Sequence, residues 1–491
     1  MAPLTRAEAT GYLETSRHAD VLAFLSALSH PFLHRTSFGT SPEGRDMPLL
    51  VLSTRGVKTP EEARRAGLPV VLVINGIHAG EVEGKEASMM LVRDLLSGAH
   101  AGLLEAVTLV VVPLFNPDGN DRIDPKNRVL AVKHLSGQMG PESGVGTRVN
   151  ASGINLNRDY LRQESAEMRA LQSRVAQAWQ PDLTIDCHAT NGSVHRFDLT
   201  YDVPHTSASG APAPIAFMRD VFTPAMQARV KERHGRDTFW YGNFVDDEGG
   251  QGEGWMTYTH HPRFGSNYRG LTGRCDVLFE AYAYIPFEER VKTTYGMLVE
   301  ALRLAGERAD GLLAAVEAGG KPPDRIAVRS RLVATGSPAR ILTRSPRTLE
   351  GAPSEVSIPH LGRFEGTHVV DRPRGYVVPP PVAELLARHG LPVRRLVGPM
   401  GVRVEVPVVE EVRETDARSI LEAPGETLVT ARWEAREETL PAGTHVVDTT
   451  GRLSPIAVYL CEAESDDGLA AAQLVPPPKR GDTWPAWRIV G

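Results

Sequence analysis

Val70-Val71-Leu72-Val73-Ile74-Asn75-Gly76-Ile77-His78-Ala79-Gly80-Glu81 is the stretch from which the rest of the chain can be read. Five consecutive apolar residues, without the alternation of a half-solvated strand, predict a strand buried on both faces. The run ends in a glycine turn that carries a histidine and a glutamate. Over residues 82–96 the pattern changes: Ala87, Leu91 and Leu95 recur at helical spacing among Lys85, Glu86, Arg93 and Asp94. Strand, polar turn and helix in that order form the repeating unit of a layered α/β fold.

Working outward, residues 107–114, 183–185 and 277–279 are short apolar runs of the same kind, and 165–179 and 288–316 read as helices, the second broken near Gly306 or Gly311. The expected architecture is an α/β domain over residues 1–318, with a mixed, largely parallel sheet flanked by helices. Gly319-Gly320-Lys321-Pro322-Pro323 punctuates its end. Beyond it, valine-rich segments at 402–409 and 427–433 alternate with Pro and Gly, and one short helix is expected at 382–389. Residues 324–491 therefore read as a β-rich accessory region.

The composition fits a globular chain of more than one domain: 491 residues, 41% hydrophobic and 23% charged. A formal charge of -6 without a long single-sign block argues against nucleic acid or an anionic membrane as the main partner. Three cysteines, Cys187, Cys275 and Cys461, lack paired spacing and read as buried small hydrophobes. No window approaches the run of about 20 apolar residues that spans a bilayer. The first residues lack the charged-then-apolar pattern of a secretory signal, so a cytoplasmic location is expected, or a secreted one if a signal has been trimmed.

The polar residues fall at the ends of the apolar runs. The first run delivers His78 and Glu81, the run at 183–185 delivers Asp186 and His188, and the run at 277–279 delivers Glu280. In open α/β sheets the ligand crevice lies outside the carboxyl ends of the strands, so these side chains are expected at one edge. Two imidazoles and a carboxylate are a usual set for catalytic zinc, with a position left open for water. Asp186, two residues before His188, would share its side of a strand and could orient the imidazole. His260-His261 adjoin but sit in a Gly-, Thr- and Pro-rich stretch with no carboxylate at ligand spacing, so a solvated loop is expected there. His195 and His205 are expected to line the cleft.

Gly39-Thr-Ser-Pro-Glu-Gly44-Arg45, His78-Ala-Gly-Glu81, Asn116-Pro-Asp-Gly119, Arg148-Val-Asn150, Gly153-Ile-Asn155-Leu-Asn157-Arg158 and Glu280 together resemble, in order, the M14 zinc carboxypeptidases. The resemblance covers roughly residues 30–300 and is carried by the series more than by any one motif. It implies one Zn²⁺ per chain held by His78, Glu81 and His188, and Glu280 as general base. It further implies Arg148 polarising the scissile carbonyl, and Asn157 with Arg158 gripping the terminal carboxylate of a peptide or peptide-like substrate. A tyrosine capping the substrate is implied too; Tyr258 and Tyr268 compete for that role, with Tyr268 preferred. The segments His188-Ala-Thr-Asn-Gly192, Asp159-Tyr160 and Leu278-Phe-Glu280-Ala-Tyr282 depart from the commoner family pattern, as in a divergent bacterial subfamily. The implied activity is removal of a C-terminal amino acid from a peptide. The alternatives are a zinc amidohydrolase or deacylase acting on an N-acyl amino acid or modified peptide, and a catalytically silent peptide-binding module. Residue preference stays open at this point.

Overall fold

The computed structural model describes residues 2–100, 102–414 and 427–490. Its centre is an eight-stranded mixed sheet built from β1 (Leu33–Thr40), β2 (Asp46–Leu52), β3 (Val70–Asn75), β4 (Thr108–Val112), β5 (Leu183–Thr190), β6 (Leu199–Asp202), β7 (Thr238–Trp240) and β10 (Cys275–Tyr282). The strand order is β1-β2-β4-β3-β5-β10-β6-β7. The four central strands, β4, β3, β5 and β10, are mutually parallel, while β1, β2 and β6 join antiparallel. All four apolar runs of the sequence are those central strands, which are buried on both faces as the absence of alternation predicts.

Two cores cover the sheet. Val71 and Val73 face a cluster that includes Leu91 and Val92 of the helix Glu83–Leu96 and Leu298 and Leu302 of the helix Phe287–Glu307. Leu72 and Ile74 face the opposite cluster, which includes Tyr376, Leu386, Val447, Tyr459 and Trp484. Residues beyond 324 thus supply much of the cover for one whole face of the central sheet. The long helical region breaks at Arg308, between Phe287–Glu307 and Ala309–Ala318, close to the predicted glycines. Residues 165–179 form one helical stretch with a π-helical segment, Leu171–Ala176, in its middle.

The C-terminal region is β-rich. A long hairpin, β11 (Arg325–Ser345) and β12 (Ala352–Asp371), reaches back to pair with β9 (Trp255–Met256), which pairs in turn with β8 (Asn243–Phe244). A six-stranded sheet follows, containing β13 (Gly375–Val378), β14 (Val393–Arg395), β15 (Met400–Glu414), β16 (Thr427–Leu440), β17 (His445–Asp448) and β18 (Trp487–Ile489). The short helix expected near 382–389 is Pro380–Arg388, with prolines at its first turn where their missing N–H costs nothing. Among the described residues no helix is long and apolar enough to cross a membrane, and the three cysteines are buried and unpaired.

Candidate active site

The carboxyl ends of the parallel strands bring the polar residues to one cleft. β3 ends at Asn75, and Gly76 turns the chain at φ 69°, a region that costs glycine little. At Gly80 a Cβ would meet the Gly146 carbonyl at 2.9 Å, so only glycine lets the turn pack there. The turn presents His78 and Glu81 just before the helix Glu83–Leu96. On the neighbouring strands, Glu280 of β10 is in register with His188 of β5, so the two side chains leave the sheet on the same side. The resulting cleft encloses 220 Å³ and is lined by His78, Glu81, His188, Glu280, Arg148, Asn157 and Arg158 among others.

The three candidate ligands converge. His188 Nδ1 lies 2.9 Å from Glu81 Oε2 and 3.2 Å from His78 Nδ1, and His78 Nδ1 lies 3.2 Å from Glu81 Oε1. Ligands on a tetrahedral zinc at its usual bond lengths sit roughly 3.3 Å from one another, so the donor set fits that ion. The outward nitrogen of His78 is held as a metal ligand requires. His78 Nε2–H donates to Asn155 Oδ1 at 3.0 Å, and that oxygen also accepts from the Asn157 N–H. The Nδ1 lone pair is thereby left facing Glu81. His188 Nε2 lies 3.3 Å from Asp186 Oδ1, a charge contact not well aligned for a hydrogen bond. Asp186 is fixed in turn by Arg269, 2.7 Å away.

The electrostatics follow from crowding charge into a buried edge. Burial would raise Glu81, but His78, His188 and Arg128 outweigh it and hold the carboxyl well below its ordinary range. Burial, reinforced by Arg148, pulls His78 down to about 4. For His188 burial acts in the same direction, yet Asp186 and Glu81 overcome it and hold the ring up at about 10. Burial, with Glu81 adding to it, pushes Glu280 up to about 8 against the pull of His188 and Arg148.

Arg148 Nη1 reaches Glu81 Oε1 and His78 Nδ1, each at 3.1 Å. Asn157 Oδ1 accepts from the Gly265 N–H at 2.8 Å, which leaves its Nδ2 to donate elsewhere. The Arg158 guanidinium lies over the Phe264 ring, 3.6 Å from its centroid. The remaining motifs build the frame. Asn116 caps the turn at Gly119, and buried Asp118 accepts from Ser41 Oγ, the Glu43 N–H and Arg45 Nη1, tying the Gly39–Arg45 turn to the Asn116–Gly119 turn.

Several expectations need correction. Tyr268 does not reach the cleft. Its segment is a helix, Gly265–Leu271, whose Gly265 and Ser266 line the cleft, while Tyr268 lies on another face and meets His389 Nδ1 at 2.7 Å. Its ring borders a separate cavity of 480 Å³. Tyr241 and Tyr258 are the tyrosines on the cleft wall, and Tyr241 had no motif to mark it. Arg263 and Arg269, flanking the same segment, are buried and paired, Arg263 with Asp467 and Arg269 with Asp186 and Asp276. His195 stacks on Tyr282, and His205 lies against Thr257; neither lines the cleft. His260 and His261 are buried, and a carboxylate does approach them: Asp466, 206 residues away from His260. Arg128, which no sequence signal distinguished, donates to Glu81 Oε1 at 3.1 Å.

The profile of the Peptidase M14 family, described as zinc carboxypeptidase, matches residues 21–212. Carboxypeptidase 2 of Trichophyton equinum is 23% identical over 479 residues, spanning 93% of this chain and 82% of the relative. Carboxypeptidase D of Mus musculus is 30% identical over 166 residues, 30% of this chain and 11% of the relative. Among solved structures, a metallo-carboxypeptidase from Pseudomonas aeruginosa aligns over 60% of this chain and 68% of its own, with 19% identity and a TM-score of 0.41. The family profile over residues 21–212 and a curated relative aligned along nearly the whole chain agree, so this chain is similar to zinc carboxypeptidases.

Proposed function

We propose that the chain is an exopeptidase that hydrolyses the C-terminal peptide bond of a peptide, with one zinc ion held by His78, Glu81 and His188. The observation that carries this reading is the convergence of three ligand atoms, a raised carboxyl at Glu280 and three candidate substrate-binding side chains on one 220 Å³ cleft. Zinc bound at such a set lowers the pKa of a coordinated water and polarises a carbonyl oxygen.

The chain's own groups do the rest. Glu280 takes a proton from the attacking water and returns it to the departing amine. A carboxyl whose proton affinity has been moved by burial to about 8 is suited to both transfers near neutral pH. The Arg148 guanidinium faces the charge that builds on the carbonyl oxygen, and losing such a donor costs roughly 10²–10³ in rate. Arg158 and the free amide hydrogens of Asn157 hold the substrate's terminal carboxylate, which fixes the scissile bond one residue from the end.

Selectivity for the departing residue comes from the wall. Tyr258, Phe264 and Leu278 form an apolar cluster with Tyr241 packed against it. Beneath them Asp276 is already paired with Arg269, so it offers no unmatched charge to a basic side chain. An apolar, in particular aromatic, C-terminal residue suits this surface, whereas a charged one would be desolvated without a partner.

The test is hydrolysis of matched peptides ending in Phe, Lys or Glu, each with a free or amidated C-terminus. Free-acid peptides ending in Phe should be cleaved fastest, and amidation should lower kcat/KM by at least 10²-fold, about the worth of a charge-assisted pair of hydrogen bonds. Equal cleavage of amidated peptides would point instead to an amidohydrolase that does not read the terminus.

A further inference from the structure

Two groups of buried His, Asp or Glu side chains among the described residues converge closely enough to hold a metal ion. One is the catalytic centre. The other is His260, His261 and Asp466, in which one donor atom of each residue lies within 4.8 Å of the others. All three side chains are buried, at 5, 8 and 6% exposure.

The second group repeats the geometry of the first. Its imidazole centroids are 4.7 Å apart at 53°, against 4.9 Å and 66° for His78 and His188. His260 Nε2 lies 2.9 Å from Asp466 Oδ2, the same distance as that from His188 Nδ1 to Glu81 Oε2. The carboxylate is anchored from outside, as ligands generally are: Asp466 Oδ1 accepts from Tyr459 Oη at 2.5 Å, and Oδ2 accepts from the Ser330 N–H at 3.2 Å. Phe364 covers the His260 ring at 4.8 Å. His260 Nδ1, across the ring from the Nε2 that faces Asp466, is buried without a hydrogen-bond partner among the described residues.

The charge balance points the same way. Arg263 donates to Asp467 through its backbone N–H and its Nε, with Nη2 in ion-pair contact. Asp466 is a buried carboxylate beside two imidazoles, and buried charges are paired or coordinate metals.

We propose that His260, His261 and Asp466 form a second divalent-cation site that takes Zn²⁺, separate from the His78–Glu81–His188 centre. Two imidazoles and a carboxylate suit zinc by ligand type. The site joins two distant parts of the chain. His260 and His261 lie between Tyr258 and Phe264, which line the substrate cleft, and Asp466 follows the helix Ser454–Cys461 of the C-terminal region. An ion there fastens the cleft wall to that region, a structural role like that of closed zinc sites. The existence of the site does not depend on the peptidase activity proposed above.

The experiment is zinc analysis of full-length protein, stripped with chelator, reloaded with Zn²⁺ and freed of excess. Wild type should hold about two ions per chain, and His78→Gln, His260→Gln and Asp466→Asn about one each, since a ligand lost from a site sharply weakens it. Zn²⁺ should also raise the thermal unfolding midpoint of His78→Gln but leave His78→Gln/His260→Gln unmoved. His78→Gln answers the question even if the Asp466 variant fails to fold, because it leaves the second site intact. A wild-type chain holding one ion that His78→Gln abolishes would overturn the second site while sparing the catalytic one. An ion retained by His78→Gln together with no loss in His260→Gln would also overturn it.

Discussion

Arg269→Met takes away a buried cation that touches Asp186 at 2.7 Å, Asp276 and the Tyr160 hydroxyl at 2.7 Å. The substitution keeps most of the side chain's bulk but strands two carboxylates. Removing one partner of a buried pair typically costs about 3–5 kcal/mol. Here the lower end is expected, because Asp276, already pushed above its ordinary value by burial, can escape part of the penalty by taking a proton. At about 3 kcal/mol the folded-to-unfolded ratio falls roughly 150-fold. A second effect reaches the metal: Asp186 loses its anchor, and with it the contact that orients His188, so zinc affinity should drop about 10–100-fold. The assays are denaturant unfolding of the metal-free protein and competition for Zn²⁺ with a chelator of known affinity. Adding Asp276→Asn should recover part of the stability but none of the zinc affinity, since it relieves one stranded charge without restoring Asp186. An unfolding free energy within about 0.5 kcal/mol of wild type, with zinc affinity unchanged, would refute the chain of contacts from Arg269 through Asp186 to His188.

Other expectations are simpler. Glu280→Gln should lower kcat about 10²–10⁴-fold with zinc content unchanged; a loss of zinc in parallel would make it a ligand rather than the proton carrier. His389 is neutral in the fold: Nε2–H donates to Leu161 O, and Nδ1 accepts from Gln163 and Tyr268. Burial holds it down from 6.5 to about 4, so its contribution is full above pH 6.5 and is lost as the pH falls towards 4, about 3 kcal/mol in all. Metal-free His389→Gln should therefore show a shallower fall in denaturation midpoint between those pH values than wild type, and an identical slope would rule this out. Trp484→Ala should destabilise the whole chain by about 3–5 kcal/mol, because its ring is fully buried in the cluster that covers Ile74 of the central sheet. A calorimetric trace in which only a separate C-terminal transition moves would contradict that shared core.

The central strands were legible because burial on both faces removes alternation, and the ligands because strand ends in such a sheet open on one edge. What escaped the sequence did so for identifiable reasons. Lys85 and Glu86 read as the polar face of a helix, yet they are buried with Glu83. Ser16 and Thr15 from the N-terminal segment, Asn120 and Arg290 supply the hydrogen bonds and opposite charge that make this tolerable. Spacing along the chain cannot reveal such partners. The same holds for His260 and Asp466, joined across 206 residues, and for Arg269, whose carboxylate partners Asp186 and Asp276 lie on the adjacent strands β5 and β10. Tyr268 was misplaced because Gly265-Ser-Asn-Tyr268-Arg-Gly270 has loop composition but folds as a helix, which turns the tyrosine from the cleft. The hairpin of β11 and β12 was hidden by Gly336 and Pro338, which break its alternation where the strand pairing shifts register.

The catalytic centre itself is tested most directly by anomalous diffraction at the zinc edge from crystals of protein reloaded with Zn²⁺. A peak is expected bonded to His78 Nδ1, Glu81 and His188 Nδ1 at about 2.0–2.2 Å, with the Glu280 carboxylate facing the same cleft. No peak between those three side chains, or a Glu280 turned into the core, would contradict the metal centre on which the proposed activity depends.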